Sequence, residues 1–417
     1  MHEILILTGS HLCHNPRVFK EASALANAGF DVEVLGAWMD KKLKAGDIEL
    51  QKMIPFRFTP VMDLTSPGNV VRFHRQVCRI RGKSAQLAYR YCGLQSRWQL
   101  GYTVGALGRF ARSRTAGLFI VHSEAGLAVA KGLLDSGVRV GVDMEDWFSE
   151  DLPPEARAKR PIRLLHDMER SLLGRGGYAT CPSRAMSEEL SREYGCPAPK
   201  VVYNAFPWSD RKSIEGRLKD RKDCSVPSIH WYSQTIGPGR GLEDLFGALP
   251  LLSRKVEVHL RGNPAAGFDE WMASYAPEEA RERIFLHGLV SNQELLSRIA
   301  EHDIGFAGEM KYCRSRVLTV SNKILHFLLA GLAVVASDTA GQKEVADKAD
   351  GAVCLYPSGD HVALAGVLND LLGAKERLQS AKEAALRAAR ETFCWERQEK
   401  VLIESVEAAL SKPKAQL

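Results

Sequence analysis

Short apolar runs alternate with amphipathic helical segments along almost the whole chain, and this alternation constrains the fold more than any other feature of the sequence. Near the start, Glu3–Leu7 and Val32–Leu35 are apolar runs with the length of strands. Between them, Asn15 and Pro16 suit the start of a helix, and Gly29 suits the residue after its end. Because such alternation is typical of parallel α/β domains, we expect parallel sheets covered by helices.

The length of the chain predicts two domains, because 417 residues exceed what one hydrophobic core usually organises. The segment 207–225 is polar and highly charged and lacks an apolar period, so it predicts a linker. We predict an α/β fold of two Rossmann-like, doubly wound domains that face each other across a cleft. The first comprises residues 1–206 and a final helix, 395–417, that crosses back to it, and the second comprises residues 226–394.

The cysteine pattern and the hydropathy indicate in which cellular compartment the protein works. The nine cysteines are scattered and form no Cys-x-x-Cys pair, which argues against a disulfide framework and against a structural zinc site. No cluster of His, Asp and Cys has the spacing of metal ligands, so no bound metal is predicted. Neither a secretory signal nor a run of roughly 20 apolar residues is recognisable. We predict a cytoplasmic protein, with peripheral attachment to the inner face of a membrane left open.

The stretch between Asp63 and Glu124 contains no acidic residue, although the net charge of the whole chain is only +6. An anionic membrane surface or an anionic acceptor would balance this charge, and residues 70–114 are therefore predicted to touch a membrane. A solvated helical face or a nucleic-acid partner is the alternative, and we expect no nucleic acid. The stretch carries ten basic residues: Arg72, Arg75, Arg79, Arg81, Lys83, Arg90, Arg97, Arg109, Arg112 and Arg114.

In the second half, a glycine-rich segment follows an apolar strand and precedes a helix. Gly237, Gly239 and Gly241 allow backbone N–H groups to approach an anion, and Arg240 adds a positive charge. This arrangement suits a phosphate, although an ordinary tight turn has the same pattern.

A second helix start carries a lysine where a lysine is unfavourable. Ser321 is a plausible N-cap, and Lys323 lies in the first helical turn, where the helix dipole repels a cation unless an anion is present. A diphosphate between Lys323 and Arg240 would remove this conflict. The alternative is a lysine whose long stem carries its charge out to water.

Acidic side chains follow a strand of the first half. Asp143, Glu145 and Asp146 are three carboxylates within four positions, an unfavourable grouping unless they bind sugar hydroxyls or transfer protons. A set of helix N-caps and surface acids is the alternative. His122 follows the preceding strand, and Ser10 and His11 lie in the first loop, so they are candidates of the same kind. A single histidine at a strand end is, however, more often a hydrogen-bonded structural residue than a catalyst.

Taken together, these motifs resemble the GT-B glycosyltransferases of family 4. The run from Asn322 to Asp338 is similar to their donor-site helix and strand, and Arg240-Gly241 resembles the basic residue plus glycine that holds the donor diphosphate. Asn15-Pro16-Arg17-Val18 and Val202-Tyr203-Asn204 add to the resemblance, which extends from the first strand to about Val345.

The resemblance implies transfer of a sugar, with retained configuration, from a UDP- or GDP-sugar to a polysaccharide or glycolipid acceptor. It implies no cofactor and no metal, because basic residues and a helix dipole stabilise the leaving diphosphate. We assign catalytic roles to Arg240, Lys323, His122 and Asp146. Donor binding is assigned to Gly237, Gly239, Gly241, Arg261, Glu309, Ser321, Asn322, His326 and Gln342, and acceptor contacts to Ser10, His11, Asp143 and Glu145.

The sequence departs from the family at two positions. Family members usually carry two glutamates eight residues apart at the donor site, where this chain has Leu318 and His326. His326 can still bond a ribose hydroxyl, but Leu318 cannot bind a sugar hydroxyl, so Glu309 or Gln342 is expected to compensate. A sugar-nucleotide epimerase or hydrolase on the same fold, or a nucleotide- or nucleic-acid-binding protein without activity, is the alternative function.

Overall fold

The computed structural model describes residues 3–221 and 224–412, and the chain divides into two compact units. The first unit comprises the residues up to 182, residues 186–202 and the residues from 399 onward. The second comprises residues 183–185 and 203–398. The final helix therefore starts in the second unit and continues in the first, while residues 413–417 of the predicted returning segment, like Met1 and His2, lie outside the described residues.

The first unit is built on a seven-stranded parallel sheet with the order β3-β2-β1-β4-β5-β6-β7. The order reverses direction next to β1, which is the point where open α/β sheets commonly bind ligands beyond the strand ends. The strands are β1 Glu3–Leu7, β2 Asp31–Trp38, β3 Arg57–Asp63, β4 Leu118–Val121, β5 Val140–Asp143, β6 Tyr178–Cys181 and β7 Lys200–Val201.

The first of the helices between these strands begins at the predicted start signal. There, Asn15 accepts a hydrogen bond from the backbone of Val18, Pro16 occupies the first turn, and the buried side includes Ala22 and Leu25. The helices are α1 Pro16–Asn27, α2 Lys41–Gln51, α3 Asn69–Cys92, α4 Val104–Arg112, α5 Ser123–Asp135, α6 Pro154–Arg157, α7 Ile162–Arg175 and α8 Arg184–Tyr194.

The second unit contains a six-stranded parallel sheet with the order β10-β9-β8-β11-β12-β13. Its core packs Ile229, Trp231, Phe246 and Phe306 between sheet and helices. The strands are β8 Ser228–Ile236, β9 Glu257–Pro264, β10 Ile284–His287, β11 Ile304–Ala307, β12 Ala333–Ser337 and β13 Val353–Tyr356.

Helices cover the second sheet in the same alternating manner, so the predicted α/β class is confirmed. They are α9 Leu242–Ala248, α10 Phe268–Ala273, α11 Glu278–Arg281, α12 Asn292–Ile299, α13 Arg314–Leu318, α14 Asn322–Ala330, α15 Ala340–Lys348, α16 His361–Gly373, α17 Lys375–Glu391 and α18 Trp395–Ser411.

The segment 207–225, predicted as a linker, packs on the second unit instead. Residues Trp208–Ser213 form a short 3-10 helix, and the backbone N–H groups of Lys219 and Asp220 donate to the carboxylate of Glu301. The buried Arg221 pairs with Asp303 at 3.0 Å. The charges that suggested a solvated linker therefore serve ion pairs. Lys222 and Asp223 lie outside the described residues.

Four histidines form a buried cluster beside this segment. The rings of His230 and His302 stack with centroids 4.5 Å apart, His259 lies 4.6 Å from His302, and Nδ1 of His259 lies 3.0 Å from Nε2 of His287. Burial lowers the pKa of each ring, and the pKa values of His230 and His302 fall well below the ordinary value. Glu257 beside His259 and Asp220 beside His287 act to raise the pKa values of those two rings, but burial outweighs them, so the cluster is neutral in the folded unit at neutral pH.

We expect this cluster to make the protein sensitive to mild acid. A histidine with a lowered folded-state pKa contributes stability above its unfolded pKa of about 6.5, and that stability is lost as the pH falls. Each histidine that stays neutral in the folded state adds a slope of about 1.4 kcal/mol per pH unit below that value. Urea unfolding of the wild type, measured between pH 7.5 and 5, should show this loss of stability.

His230→Gln should reduce the slope of the unfolding free energy against pH by the contribution of one histidine, about 1.4 kcal/mol per pH unit. His14→Gln, at an exposed position of the first unit, is the matched control and should leave the slope unchanged. A slope in His230→Gln identical to that of the wild type would contradict this account.

Candidate functional site

Lys323, at the start of α14, is held by a buried carboxylate. Its Nζ lies 3.1 Å from Oε1 of Glu309, and Ser321 Oγ donates to the same carboxylate oxygen at 3.1 Å. Ser321 also caps the helix by accepting from the backbone of Lys323. Only 14% of the Lys323 side chain is exposed, so its charge is not carried out to water. The anion expected at this helix start is therefore supplied, within the chain, by Glu309.

Glu309 is fixed in turn by the strand ends on either side of it. Its backbone N–H donates to Ser337 Oγ at 2.8 Å, and its carbonyl accepts from Ser358 Oγ at 2.9 Å. Burial opposes ionisation of the carboxyl, but the charges of Lys323 and Arg316 outweigh it and lower the pKa of Glu309. Glu309 is therefore a carboxylate at the centre of a cationic group of side chains.

The glycine-rich loop lies against the same strand end. Gly241 has a φ of +77°, and a Cβ atom there would come within 2.8 Å of the Gly308 carbonyl carbon, so only glycine allows this approach. The exposed Arg240 donates to Ser233 Oγ at 3.0 Å. The backbone N–H of Gly239, which was expected to approach an anion, donates instead to the carboxylate of Glu243 at 2.6 Å. Gly237 lies at the start of the same loop, next to Ala265.

Gln342 supports Glu309 and has no access to the surface. It is fully buried, and its Nε2 donates to the carbonyl oxygen and to Oγ of Ser337 at 3.0 and 2.8 Å. Because Ser337 Oγ also accepts from the backbone of Glu309, Gln342 positions the acid rather than binding a donor directly.

The two positions that depart from the family are both buried. His326 stacks on Phe206 with ring centroids 4.0 Å apart, and its Nδ1 lies 3.0 Å from the hydroxyl of Tyr232. Leu318 is 7% exposed at the end of α13. Asn322, one residue before Lys323, accepts from Asn204 through its side-chain oxygen at 3.0 Å.

Arg261, which the sequence assigned to donor binding, has a structural role. It is buried on β9, pairs with Asp220 and donates to the carbonyl of Gly288 at 2.5 Å. Its guanidinium is committed to holding the segment before β8 and the end of β10, so the prediction for this residue is wrong.

A second charged cluster is buried beyond β4 and β5 of the first unit. His122 Nε2 lies 2.5 Å from Glu21 Oε2, and the other Glu21 oxygen accepts from the hydroxyl of Tyr178 at 3.0 Å. Nδ1 of His122 lies 3.6 Å from Glu145 Oε2. Asp143 accepts from Arg17 Nε at 2.7 Å, and both side chains are buried.

His122 is charged in this environment. Burial alone would lower the pKa of the imidazole, but Glu21, Glu145 and Asp143 outweigh burial and raise it to about 10. The ring therefore serves as a hydrogen-bond donor and a fixed positive charge at neutral pH, not as a general base.

No site role was predicted from the sequence for Arg17 or Glu21, although Arg17 belongs to a run that carries the family resemblance. The available signal was their spacing of four residues on α1, which places both on the side that also carries Val18 and Leu25. Charged side chains on a buried helix face require partners, and the acids after β5 and the histidine after β4 provide them.

The predicted acceptor-side residues separate into two groups. Asp143 and His11 are buried, and His11 accepts from the backbone N–H groups of Met39 and Asp40 while its Nδ1 lies 2.9 Å from Asp47. These two side chains have no surface for an acceptor, so their predicted contacts are wrong.

The other acceptor-side residues stay within reach of solvent. Glu145 and Asp146 are partly exposed, and Glu145 also accepts from the Asn15 side chain at 3.4 Å. Ser10, in the first loop, is partly exposed and lies 3.1 Å from Thr8 Oγ1.

Glu21, His122 and Asp143 each offer one ligand atom within 4.8 Å of the others, which is the geometry of a metal site. Here the pairing is satisfied within the chain, since Arg17 supplies a positive charge to Asp143 and His122 supplies one to Glu21. A cation at this point would compete with both of these positive charges.

Within the acid-free stretch, α3 is a long and largely exposed helix. Of the 24 residues of α3, only Ala85 is buried. Apolar side chains follow one another at spacings of three, four and seven residues on its exposed side, and Phe73 is 65% and Tyr91 75% exposed. In the described residues, no helix combines the length and apolar character needed to cross a bilayer.

Two protein-family models match the chain. A family model described as "Glycosyl transferase 4-like domain" matches residues 14–206, and one described as "Glycosyl transferases group 1" matches residues 229–374. Together the two models match most of the chain. No curated protein matches the sequence.

Among solved structures, HepE of Anabaena in complex with UDP-glucose has a TM-score of 0.69 at 14% identity, covering 98% of this chain and 100% of that one. WaaG, a glycosyltransferase involved in lipopolysaccharide biosynthesis, has a TM-score of 0.61 at 12% identity, covering 96% and 98%. A putative UDP-N-acetylglucosamine 2-epimerase of Listeria monocytogenes has a TM-score of 0.55 at 13% identity, covering 99% and 98%.

At these identities the likeness to solved structures shows the fold alone, and the family rests on the two matched models. The two parallel α/β units are those of the GT-B type. The chain belongs to the group 1 glycosyltransferases, which act on nucleotide sugars and include the family 4 enzymes.

Proposed function

We propose that the protein is a retaining, metal-independent hexosyltransferase that moves a sugar from a UDP- or GDP-sugar to a polysaccharide or glycolipid acceptor. The observation that carries this proposal is the cationic group around Glu309, in which Lys323 starts α14 and Gly241 holds the Arg240 loop against Gly308. HepE is in complex with UDP-glucose, which supports UDP as the first nucleotide to test.

The charges at this strand end suit a diphosphate. Lys323, Arg316 and Arg240 carry three positive charges, and Glu309 and Glu243 carry two negative charges. A nucleoside diphosphate would therefore meet a surplus of about one positive charge together with the first turn of α14, without a metal ion. When it binds, it competes with Glu309 for Lys323, which leaves the carboxylate free to accept from a sugar hydroxyl.

On the acceptor side, the partly exposed Glu145 and Asp146 are the groups that bind acceptor hydroxyls. His122 lies behind Glu145 and stabilises its negative charge. In this assignment His122 holds the carboxylate in place and does not itself remove a proton.

An epimerase or hydrolase is the second candidate, because the positions that usually carry the two donor-site glutamates are Leu318 and His326. The likeness of fold to the putative epimerase is compatible with it. Incubation with nucleotide sugar alone distinguishes the two: an epimerase or hydrolase yields product without an acceptor, and a transferase needs one.

We also propose that α3 attaches the enzyme to the cytoplasmic face of an anionic membrane. Its exposed apolar side chains are flanked by six basic residues and by no acidic one. Pairing of α3 with a second copy would bring like charges together, whereas an anionic lipid surface matches both the charge and the apolar row.

Calorimetric titration with UDP, GDP, ADP and CMP in the presence of EDTA tests the donor site. We expect one nucleotide to bind, and Lys323→Ala and Arg240→Ala each to weaken binding by roughly 1–2 kcal/mol, the scale of a charge-assisted contact. Arg377→Ala, at a surface arginine of α17, is the control and should bind as the wild type does. Equal affinity in all three variants would remove both residues from the site.

Sedimentation with liposomes tests the attachment. The protein should bind vesicles containing phosphatidylglycerol, bind phosphatidylcholine vesicles weakly, and release as salt is raised. The double variant Phe73→Ser/Ile80→Ser should lose most of this binding, while Val362→Ser, an exposed apolar residue of the second unit, should keep it. Binding that ignores lipid charge would contradict the proposal.

Alkaline unfolding tests the charge of His122. A group with a raised folded-state pKa contributes stability below its unfolded pKa of about 6.5, and that stability is lost as the pH rises toward about 10. Glu21→Gln should cost about 3–5 kcal/mol at pH 7, as expected when a buried ion pair loses one partner, and should reduce the loss between pH 7 and 10.

Glu189→Gln, which removes one partner of a surface ion pair with Arg192, is the control and should change little. If Glu21→Gln unfolds with the pH dependence of the wild type, His122 is not held in its charged form by Glu21.

A further inference from the structure

Two adjoining cavities lie between α3 and the segment that leads into α4. Their volumes are about 530 and 380 Å³, and Trp98, Gly101 and Tyr102 line both. Neither cavity belongs to the donor site or to the cluster around His122.

The smaller cavity has a largely apolar wall. Met62, Phe73, Val77, Tyr102 and Ala106 line it, and they come from β3, α3, the loop before α4 and α4 itself. A wall of this composition suits a hydrocarbon chain, because the free energy falls when the chain leaves water.

Cationic side chains surround the same space. Arg81 and Arg109 line the smaller cavity, and Arg79 and Lys83 line the larger one. Within the described part of the chain none of the four forms an ion pair, and the Arg81 guanidinium lies 5.1 Å from the Trp98 ring centroid. An apolar wall beside four unneutralised cations matches a ligand that is apolar at one end and strongly anionic at the other.

The wall of the cavities touches the strand-end loops of the first unit. A Cβ atom on Gly9 would lie 3.1 Å from Thr103 Oγ1 and 3.3 Å from Ser123 Oγ, and the Gly9 N–H donates to Ser123 Oγ at 3.2 Å. Thr103 follows Tyr102 of the wall, and Ser123 follows His122. The cavities therefore border the loops that carry the proposed acceptor-side residues.

We propose that these cavities bind a lipid carrying a phosphate or diphosphate head group, with its chain on the apolar wall and its head on Arg81, Arg109, Arg79 and Lys83. This inference rests on the proposed function, because it names the acceptor class: a glycan or sugar carried on a lipid phosphate. A free polyanion would make no contact with the apolar wall, and an uncharged lipid would provide no negative charge for the four cations.

Calorimetry with three probes separates the two halves of this ligand: farnesyl diphosphate, inorganic pyrophosphate and farnesol. We expect farnesyl diphosphate to bind at least tenfold more tightly than either of the others. Arg81→Ala/Arg109→Ala should weaken its binding at least tenfold, whereas Arg90→Ala, an exposed α3 arginine that lines neither cavity, should not.

A second variant removes the space without changing the charge. Gly82 lines the larger cavity from within α3, and a Cβ atom there would lie 3.6 Å from Tyr102, an ordinary contact. Gly82→Phe should therefore fold, as judged by circular dichroism and nucleotide binding, and should bind farnesyl diphosphate at least tenfold more weakly.

Equal binding of pyrophosphate and farnesyl diphosphate would show a simple anion site and overturn the proposal. Equal binding of farnesol, normal binding by Gly82→Phe, or no binding of farnesyl diphosphate to the wild type would do so as well. The nucleotide titration is independent of these cavities. If a nucleotide binds and the lipid does not, the inference fails while the proposed function stands.

Discussion

The ion pair of Lys323 with Glu309 organises the strand ends of the second unit. A lysine in the first turn of a helix is unfavourable alone, and so is a carboxylate buried beyond the end of a strand. Together the two charges neutralise each other. Ser321, Ser337 and Ser358 then fix the acid by hydrogen bonds. The resulting site is preorganised but not inert, since a bound anion can replace Glu309 as the partner of Lys323.

The buried charged clusters of the two units have net charges of opposite sign. Around Glu309 the cations exceed the anions, which suits a leaving diphosphate. In the first unit, Glu21, Asp143 and Glu145 exceed Arg17 and the protonated His122 by one negative charge. The surplus lies on the partly exposed Glu145, which suits the hydroxyl groups of an acceptor.

Much of the fold follows from the sequence, because strand and helix periods are local signals that the two parallel sheets preserve. The strand-end loops of the candidate site were also predictable, since parallel strands end at one edge. The partners within those loops were not: nothing local to Lys323 points to Glu309, fourteen positions earlier. The contacts of the segment 207–225 were not predictable for the same reason, because the acids that pair with it, Glu301 and Asp303, lie far along the chain.

Helix α3 spans 24 residues and contributes very little to the core of the first unit. With Ala85 as its single buried residue, most substitutions on α3 leave folding free energy almost unchanged. Under the proposed attachment, its sequence would be constrained mainly by what it touches outside the chain. Change in this helix would then redirect the enzyme to another surface or carrier while the nucleotide site stays intact, so the choice of donor and the choice of location would evolve independently.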